Sequence, residues 1–254
     1  MKILVSNDDG IYADGIKALV NEMKKLGEVV VSAPATHQSG AGHSITFNQI
    51  VKVEKIDFDS DVVGYKVFGK PKDCVELALS VLTSDIDLVI TGINEGYNLA
   101  SDCSASGTCG AACAALPYNI PSIAVSLGFG DHYDYSYAAK VALEVAKWFI
   151  EQPFNKDFTL SINVTNIDPK DIKGITVAGF GGYPKYSQDL TGHFDGQYYY
   201  YNLRSTDVSF EYTVNNLEGD LYAIDHNYIT LTPLSLNMVK QDSLPQLKQA
   251  WTNK

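Results

Sequence analysis

"ILVSNDDGIYADG", residues 3–15, runs from an aliphatic stretch into two adjacent carboxylates, Asp8 and Asp9, and then Gly10. The aliphatic part has the composition of a buried strand, and "KILVS" (2–6) is read as one. Two like charges at the mouth of a buried strand repel each other, so a positive species must hold them in place. Downstream, "DGIKALVNEMKKLG" (14–27) spaces its apolar residues as a helix does, with lysines late and Gly27 at the end. "EVVVSAP" (28–34) then reads as a second strand. Strand, helix and strand in this order make a parallel βαβ unit, with Asp8 and Asp9 at the carboxyl end of its first strand.

The rhythm continues outward. "PKDCVELALSVL" (71–82) predicts a helix with Pro71 in its first turn, and "DLVITGIN" (87–94) a third buried strand. "SGTCGAACAAL" (106–116) reads as a helix of small residues, "SIAVSL" (122–127) as a strand, and "YSYAAKVALEVAKWFIEQ" (135–152) as a long helix. "FTLSINV" (158–164) is a further strand. The fold class expected is α/β, layered, with a mainly parallel sheet. Two stretches break the alternation. Residues 44–68 hold paired strand-like runs. Residues 183–214 are rich in tyrosine, and "GQYYYYNLRS" and "VSFEYTV", separated by "TD", predict a projecting β-hairpin that is either plain strand surface or an interface. The tail "SLPQLKQAWTNK" is compatible with a terminal helix.

A chain of 254 residues, 45% hydrophobic, can bury a large core in one domain. Acidic residues outnumber basic ones 30 to 19, for a net charge of -11, which argues against polymeric nucleic acid or an anionic membrane as partner. It leaves room for a small phosphate ligand in a locally positive pocket. No run approaches the roughly 20 apolar residues of a membrane helix, and no signal-peptide core precedes "KILVS". The expectation is a cytoplasmic protein whose cysteines, Cys74, Cys103, Cys109 and Cys113, are reduced and do not form a zinc site.

In a parallel α/β sheet, ligands bind beyond the carboxyl ends of the strands. The loops there are "NDDG", "ATHQSGAGHS" (35–44), "INEGYN" (93–98) and "SASGT" (104–108). Their glycines let backbone N–H groups approach a ligand, and "SGT" opens a helix, a natural place for an anion. Asp8 and Asp9 with a hydroxyl and an amide from neighbouring loops form an all-oxygen set suited to Mg2+ or Mn2+. A cation beside an anion cradle equips a protein for metal-assisted phosphoryl chemistry. Each loop alone is an ordinary turn or cap; their common placement is the signal.

Other phosphate-handling folds fail on spacing. There is no GxxxxGK[ST], and no G-x-G-x-x-G follows the first strand. Asn7-Asp8-Asp9 is not the D-x-D of a haloacid-dehalogenase-type phosphatase. A response-regulator receiver needs an aspartate where "DLVITG" has Thr91 and Gly92.

"MKILVSNDDGIYADGI", "APATHQSGAGHSIT", "GKPKDCVELAL", "DLVITGINEGYNLASDCSASGTCGAA" and "YITLTPL" resemble, in order, the landmarks of the SurE family of 5′/3′-nucleotidases. The resemblance implies a Rossmann-like three-layer core, a projecting hairpin, and a C-terminal segment exchanged between subunits of a homodimer or homotetramer. It implies cytoplasmic, metal-dependent hydrolysis of nucleoside monophosphates, and in some members of short polyphosphate. The implied ligands of one Mg2+ or Mn2+ are Asp8, Asp9, Ser39 and Asn94, with Asn98, Ser106, Gly107 and Thr108 at the phosphate. Asp8, Asp9 and His226 are the implied catalytic residues. A noncatalytic nucleotide- or phosphate-binding sensor is the alternative. The chain departs from the family pattern at Tyr97, where Pro is usual and a wall of the base site is expected to change. It also departs at Ala105 for Tyr and Lys70 for Thr, and it lacks arginines in "GFGGYPKY".

Overall fold

Strand β1 (Lys2–Ser6) shows why the sheet is covered on both sides. Ile3 and Val5 point into one apolar layer and Leu4 into the other, the two-residue period of a strand buried on both faces. Under Ile3 and Val5 lie α1 (Asp14–Met23) and α4 (Tyr135–Ile150); under Leu4 lie α2 (Pro71–Leu77) and α3 (Gly107–Cys113). The computed structural model describes residues 1–130, 132–186, 189–202, 208–237, 239 and 241–252.

Nine strands form the sheet, in the order β3-β4-β2-β1-β5-β6-β7-β13-β8. They are β2 (Glu28–Pro34), β3 (Val53–Asp59), β4 (Val62–Val67), β5 (Leu88–Glu95), β6 (Ser122–Leu127), β7 (Thr159–Val164), β8 (Gly174–Val177) and β13 (Tyr228–Leu234). Only β3 against β4 and β13 against β7 run antiparallel. The α/β class with a mainly parallel sheet is therefore as expected. From β1 the chain crosses to β2 on one side, while β5 lies on the other. That reversal opens a crevice above β1 and β5, the usual ligand position in such sheets.

Three details differ from the expectation. The helix at 71–82 is α-helical to Leu77 and widens into a π-turn over Ala78–Leu82, where Thr83 N–H bonds the Ala78 carbonyl, five residues back. "GQYYYYNLRS" and "VSFEYTV" do not pair as one hairpin. Strand β11 (Tyr199–Asn202) pairs with β10 (Asp189–Phe194), and β12 (Val208–Tyr212) with β9 (Gly182–Tyr186), so the tyrosine-rich arm is a nested double ribbon. Residues 203–207, which include "TD", lie outside the described residues. Finally, β13 inserts between β7 and β8, antiparallel to β7 and parallel to β8. The terminal helix does form, as α6 (Leu244–Thr252), and buries none of its residues. All four cysteines are free and buried, and no described helix is long and apolar enough to cross a membrane.

Candidate active site

Asp8 leaves the end of β1 into the crevice and is 2% exposed. Helix α3 reaches it from across the sheet: the Thr108 hydroxyl donates to Asp8 Oδ1. Gly107 packs so closely that a Cβ there would lie 2.7 Å from both Asp8 Cβ and Oδ2, so only glycine fits without displacing the carboxylate. The all-small sequence of α3 has the same origin, because a side chain on Gly110 would collide with the Gly42 carbonyl of the "HQSGAGHS" loop. That loop is stitched to the site by Gln38 N–H on the Asp8 carbonyl (2.7 Å) and Gly42 N–H on the Ala105 carbonyl (2.9 Å). Lys70, a departure from the family pattern, holds the Gln38 side chain at 3.1 Å. Ser39 sits in the exposed turn one residue past Gln38.

Asn94 arrives from the end of β5 and is buried. Its Nδ2 donates to the Gly96 carbonyl at 2.8 Å, which turns Oδ1 toward the Asp8 cluster, 3.5 Å from the Thr108 hydroxyl. Asp9 faces the same crevice, with Glu95 N–H 3.4 Å from Oδ2 and His37 Nδ1 3.3 Å from Oδ1. Asn98 is buried and fixed: its N–H bonds Asn163 Oδ1, and Nδ2 donates to Ser126 Oγ, each at 2.8 Å. One amide proton of Asn98 is left over for a ligand. Ser106 caps α3, accepting from Cys109 N–H at 3.1 Å. The structure thus brings Asp8, Asp9, Asn94, Gly107 and Thr108 together directly, with the Ser39 turn tied to Asp8 through Gln38.

His226 stands apart. It ends α5 (Asp220–Asp225), its Nδ1 lies 2.8 Å from the Tyr222 carbonyl, and its ring stacks on Tyr222. No hydrogen bond among the described residues ties it to the Asp8 cluster. Tyr97 packs edge-on against Phe129 and against Gly128, beside Leu99 and the base of the ribbon, and is not among the residues lining the recess next to Asp9.

Burial holds the Asp8 carboxyl above its ordinary value against the opposing hydrogen bond from Thr108. Burial and then the charge of Asp8 push Asp9 up to about 6. Among the described residues neither carboxylate forms an ion pair with a lysine or arginine. A buried Asp8 beside a partly buried Asp9, with only the exposed His37 imidazole as a basic neighbour among the described residues and an amide oxygen turned toward them, fits a hard divalent cation. No described group of three or more His, Cys, Asp or Glu converges, so a cation here would need the oxygens of neutral residues such as Asn94 beside the two carboxylates. Sequence reasoning missed His37, Tyr133 and Tyr135, which border Asp9. The tyrosines sit just before and at the start of α4, far along the chain from Asp9, and only the fold brings them here.

Comparison with known proteins agrees with this architecture. The family model described as "Survival protein SurE" matches residues 3–185. A protein named 5′-nucleotidase SurE from Chlorobaculum tepidum is 37% identical over 239 residues, covering 93% of this chain and 89% of its own. One of the same name from Clostridium botulinum (strain Alaska E43, type E3) is 37% identical over 254 residues, covering 98% and 99%. The crystal structure of the SurE protein from Aquifex aeolicus superposes with a TM-score of 0.82 at 32% identity, covering 99% of this chain and all of that one.

Proposed function

The chain belongs to the SurE family, and from that premise we propose that it is a divalent-metal-dependent phosphomonoesterase acting on nucleoside 5′-monophosphates, and on 3′-monophosphates as well. The observation that carries the reading is the adjacent Asp8 and Asp9, the first buried and the second partly so, with no lysine or arginine paired to either among the described residues, at the point where strand order reverses. In this reading one Mg2+ or Mn2+ is held by Asp8, Asp9, Ser39 and Asn94. When bound, it supplies positive charge that polarises the phosphate and offsets charge developing during displacement.

The chain's own groups do the rest. Backbone N–H groups of Gly107 and Thr108 at the start of α3 and the spare Asn98 amide proton hold phosphate oxygens, while the Ser106 N–H is engaged by the Asp102 carbonyl at 3.1 Å. Thr108 fixes the Asp8 carboxylate by its hydrogen bond, leaving Oδ2 to take a proton. The nucleophile is a water deprotonated by Asp8. Direct attack by Asp8 is disfavoured because a carboxylate committed to a cation and a hydroxyl donor is a poor nucleophile. Stereochemistry at phosphorus distinguishes these: a single displacement by water is expected to invert a chiral phosphate ester, and net retention, from two displacements through an Asp8 acyl phosphate, would reject the water route.

The whole reading is tested by incubating the purified chain with a nucleoside monophosphate and Mn2+, with and without chelator. Chelator-sensitive release of phosphate is expected. Binding of the nucleotide without turnover would make the chain a sensor. We further propose one domain with the ribbon at about 183–214 and the tail at about 235–254 engaging other copies in a homodimer or homotetramer. Exposed Tyr198, Tyr199, Tyr200 and Tyr201 and the unburied α6 support this. Sedimentation showing only monomer at micromolar concentration would overturn it.

A further inference from the structure

A cavity of about 440 Å³ opens directly on Asp9, within the size range of small-ligand sites. Its walls include Asp14, Glu95, His132, Tyr133 and Tyr135. The two tyrosine rings are stacked, with centroids 5.8 Å apart and planes within 14°, and Glu95 lines the same cavity. Glu95 is the residue whose N–H approaches Asp9 Oδ2, so its side chain leaves the backbone at the rim of the proposed metal site.

We propose that this recess receives the leaving group of the phosphate ester and that Glu95 makes it selective for guanine. The inference rests on the phosphomonoesterase reading and deepens it. With phosphate held between Asp9 and the start of α3, the alcohol side of the ester has an adjoining space lined by the tyrosines Tyr133 and Tyr135 and by the carboxylates of Asp14 and Glu95. A carboxylate accepts hydrogen bonds and donates none. Guanine presents two neighbouring donors, N1–H and the 2-amino group, which match the two oxygens of a carboxylate. Adenine and cytosine place an acceptor beside their amino group, and hypoxanthine lacks the 2-amino group. Tyrosine faces supply stacking for any base, so they hold the ring without choosing it. The same carboxylates repel a second phosphate, so tripolyphosphate is disfavoured in this chain, unlike the family members that trim it.

The test compares kcat/KM for guanosine, inosine and uridine 5′-monophosphates, tripolyphosphate and ribose 5-phosphate, all with Mn2+, in the parent and in Glu95→Gln. Glu95 is exposed, and a thermal midpoint confirms that the variant is folded. The parent is expected to prefer the guanosine over the inosine ester by about tenfold, the scale of one lost donor at a site built to receive it. In Glu95→Gln that ratio falls to about threefold or less, and tripolyphosphate gains relative to the nucleotides. A parent ratio near one, or a ratio that survives Glu95→Gln, overturns the proposal. Ribose 5-phosphate has no base and separates the two levels. If it is hydrolysed while the base ratio is flat, only the guanine assignment fails. If neither it nor any nucleotide is hydrolysed, the phosphatase reading fails and the assignment falls with it.

Discussion

Replacing Asp9 by asparagine should make the metal-free protein more stable, a consequence opposite to that of most buried substitutions. Burial and the neighbouring charge of Asp8 raise the Asp9 carboxyl from 3.8 to about 6 in the folded chain. The folded state therefore holds this proton more tightly than the unfolded state. The associated stability is complete below about pH 4 and is lost as pH rises through about 6. At 1.36 kcal/mol for each pKa unit, ionised Asp9 costs the chelated protein about 3 kcal/mol at neutral pH. Asparagine keeps the shape and does not ionise. In thermal unfolding with chelator, Asp9→Asn should match the parent near pH 4 and exceed it near pH 7.5 by about 2–3 kcal/mol. That corresponds to roughly 4–12 °C for a chain of this size. Added Mn2+ should then raise the parent's midpoint more than the variant's, and the parent's gain should shrink as pH falls through about 6, where protons compete for the carboxylate. Superimposable pH profiles, or a variant less stable than the parent at pH 7.5, would refute the argument that the pair is held uncompensated for a cation.

Other perturbations separate the parts of the site. Asp8→Asn removes the proposed base and one ligand charge, and kcat should fall at least a hundredfold in a phosphate-release assay with saturating Mn2+. Gly107→Ala places a Cβ 2.7 Å from Asp8 Oδ2, so kcat/KM should drop at least tenfold while the variant remains folded by circular dichroism. His226→Ala should keep kcat within about threefold, because the imidazole is bonded to Tyr222; a larger fall together with a flattened pH–rate profile would restore it to the reaction. Asp220 accepts N–H bonds from Ala100 (2.7 Å), Gly181 (2.9 Å) and Leu221 (2.8 Å) while buried. Asp220→Asn turns an NH2 toward one of those donors and should cost about 2–3 kcal/mol in urea unfolding.

How much of this is legible in the sequence depends on where each residue's partners lie. Strands β1, β2 and β6 match their expected bounds residue for residue, because a strand buried on both faces is an unbroken aliphatic run with polar ends. The pairing of the tyrosine arm does not follow from its own residues. Its register depends on β9, "GYPKY", which carries Pro184 and reads as loop until Phe210 of β12 is found opposite it. The site divides in the same way. Asp8, Asn94 and Thr108 are legible because each ends or begins an element at one edge of a parallel sheet, so predicting the elements predicts their convergence. Tyr133 and Tyr135 carry no such mark. They belong to the approach to α4, whose apolar face is set by packing over β1 and β5, and their position beside Asp9 is a by-product of that packing. Glu95 lies between these cases: its place at the end of β5 is readable, but not that it shares a recess with Tyr133 and Tyr135. The proposed cation and phosphate positions therefore rest on the ends of strands and the start of α3, which the topology brings together. The recess that would receive the rest of the substrate is built from helix packing and one rim residue, and substrate preference can change there without disturbing the metal set.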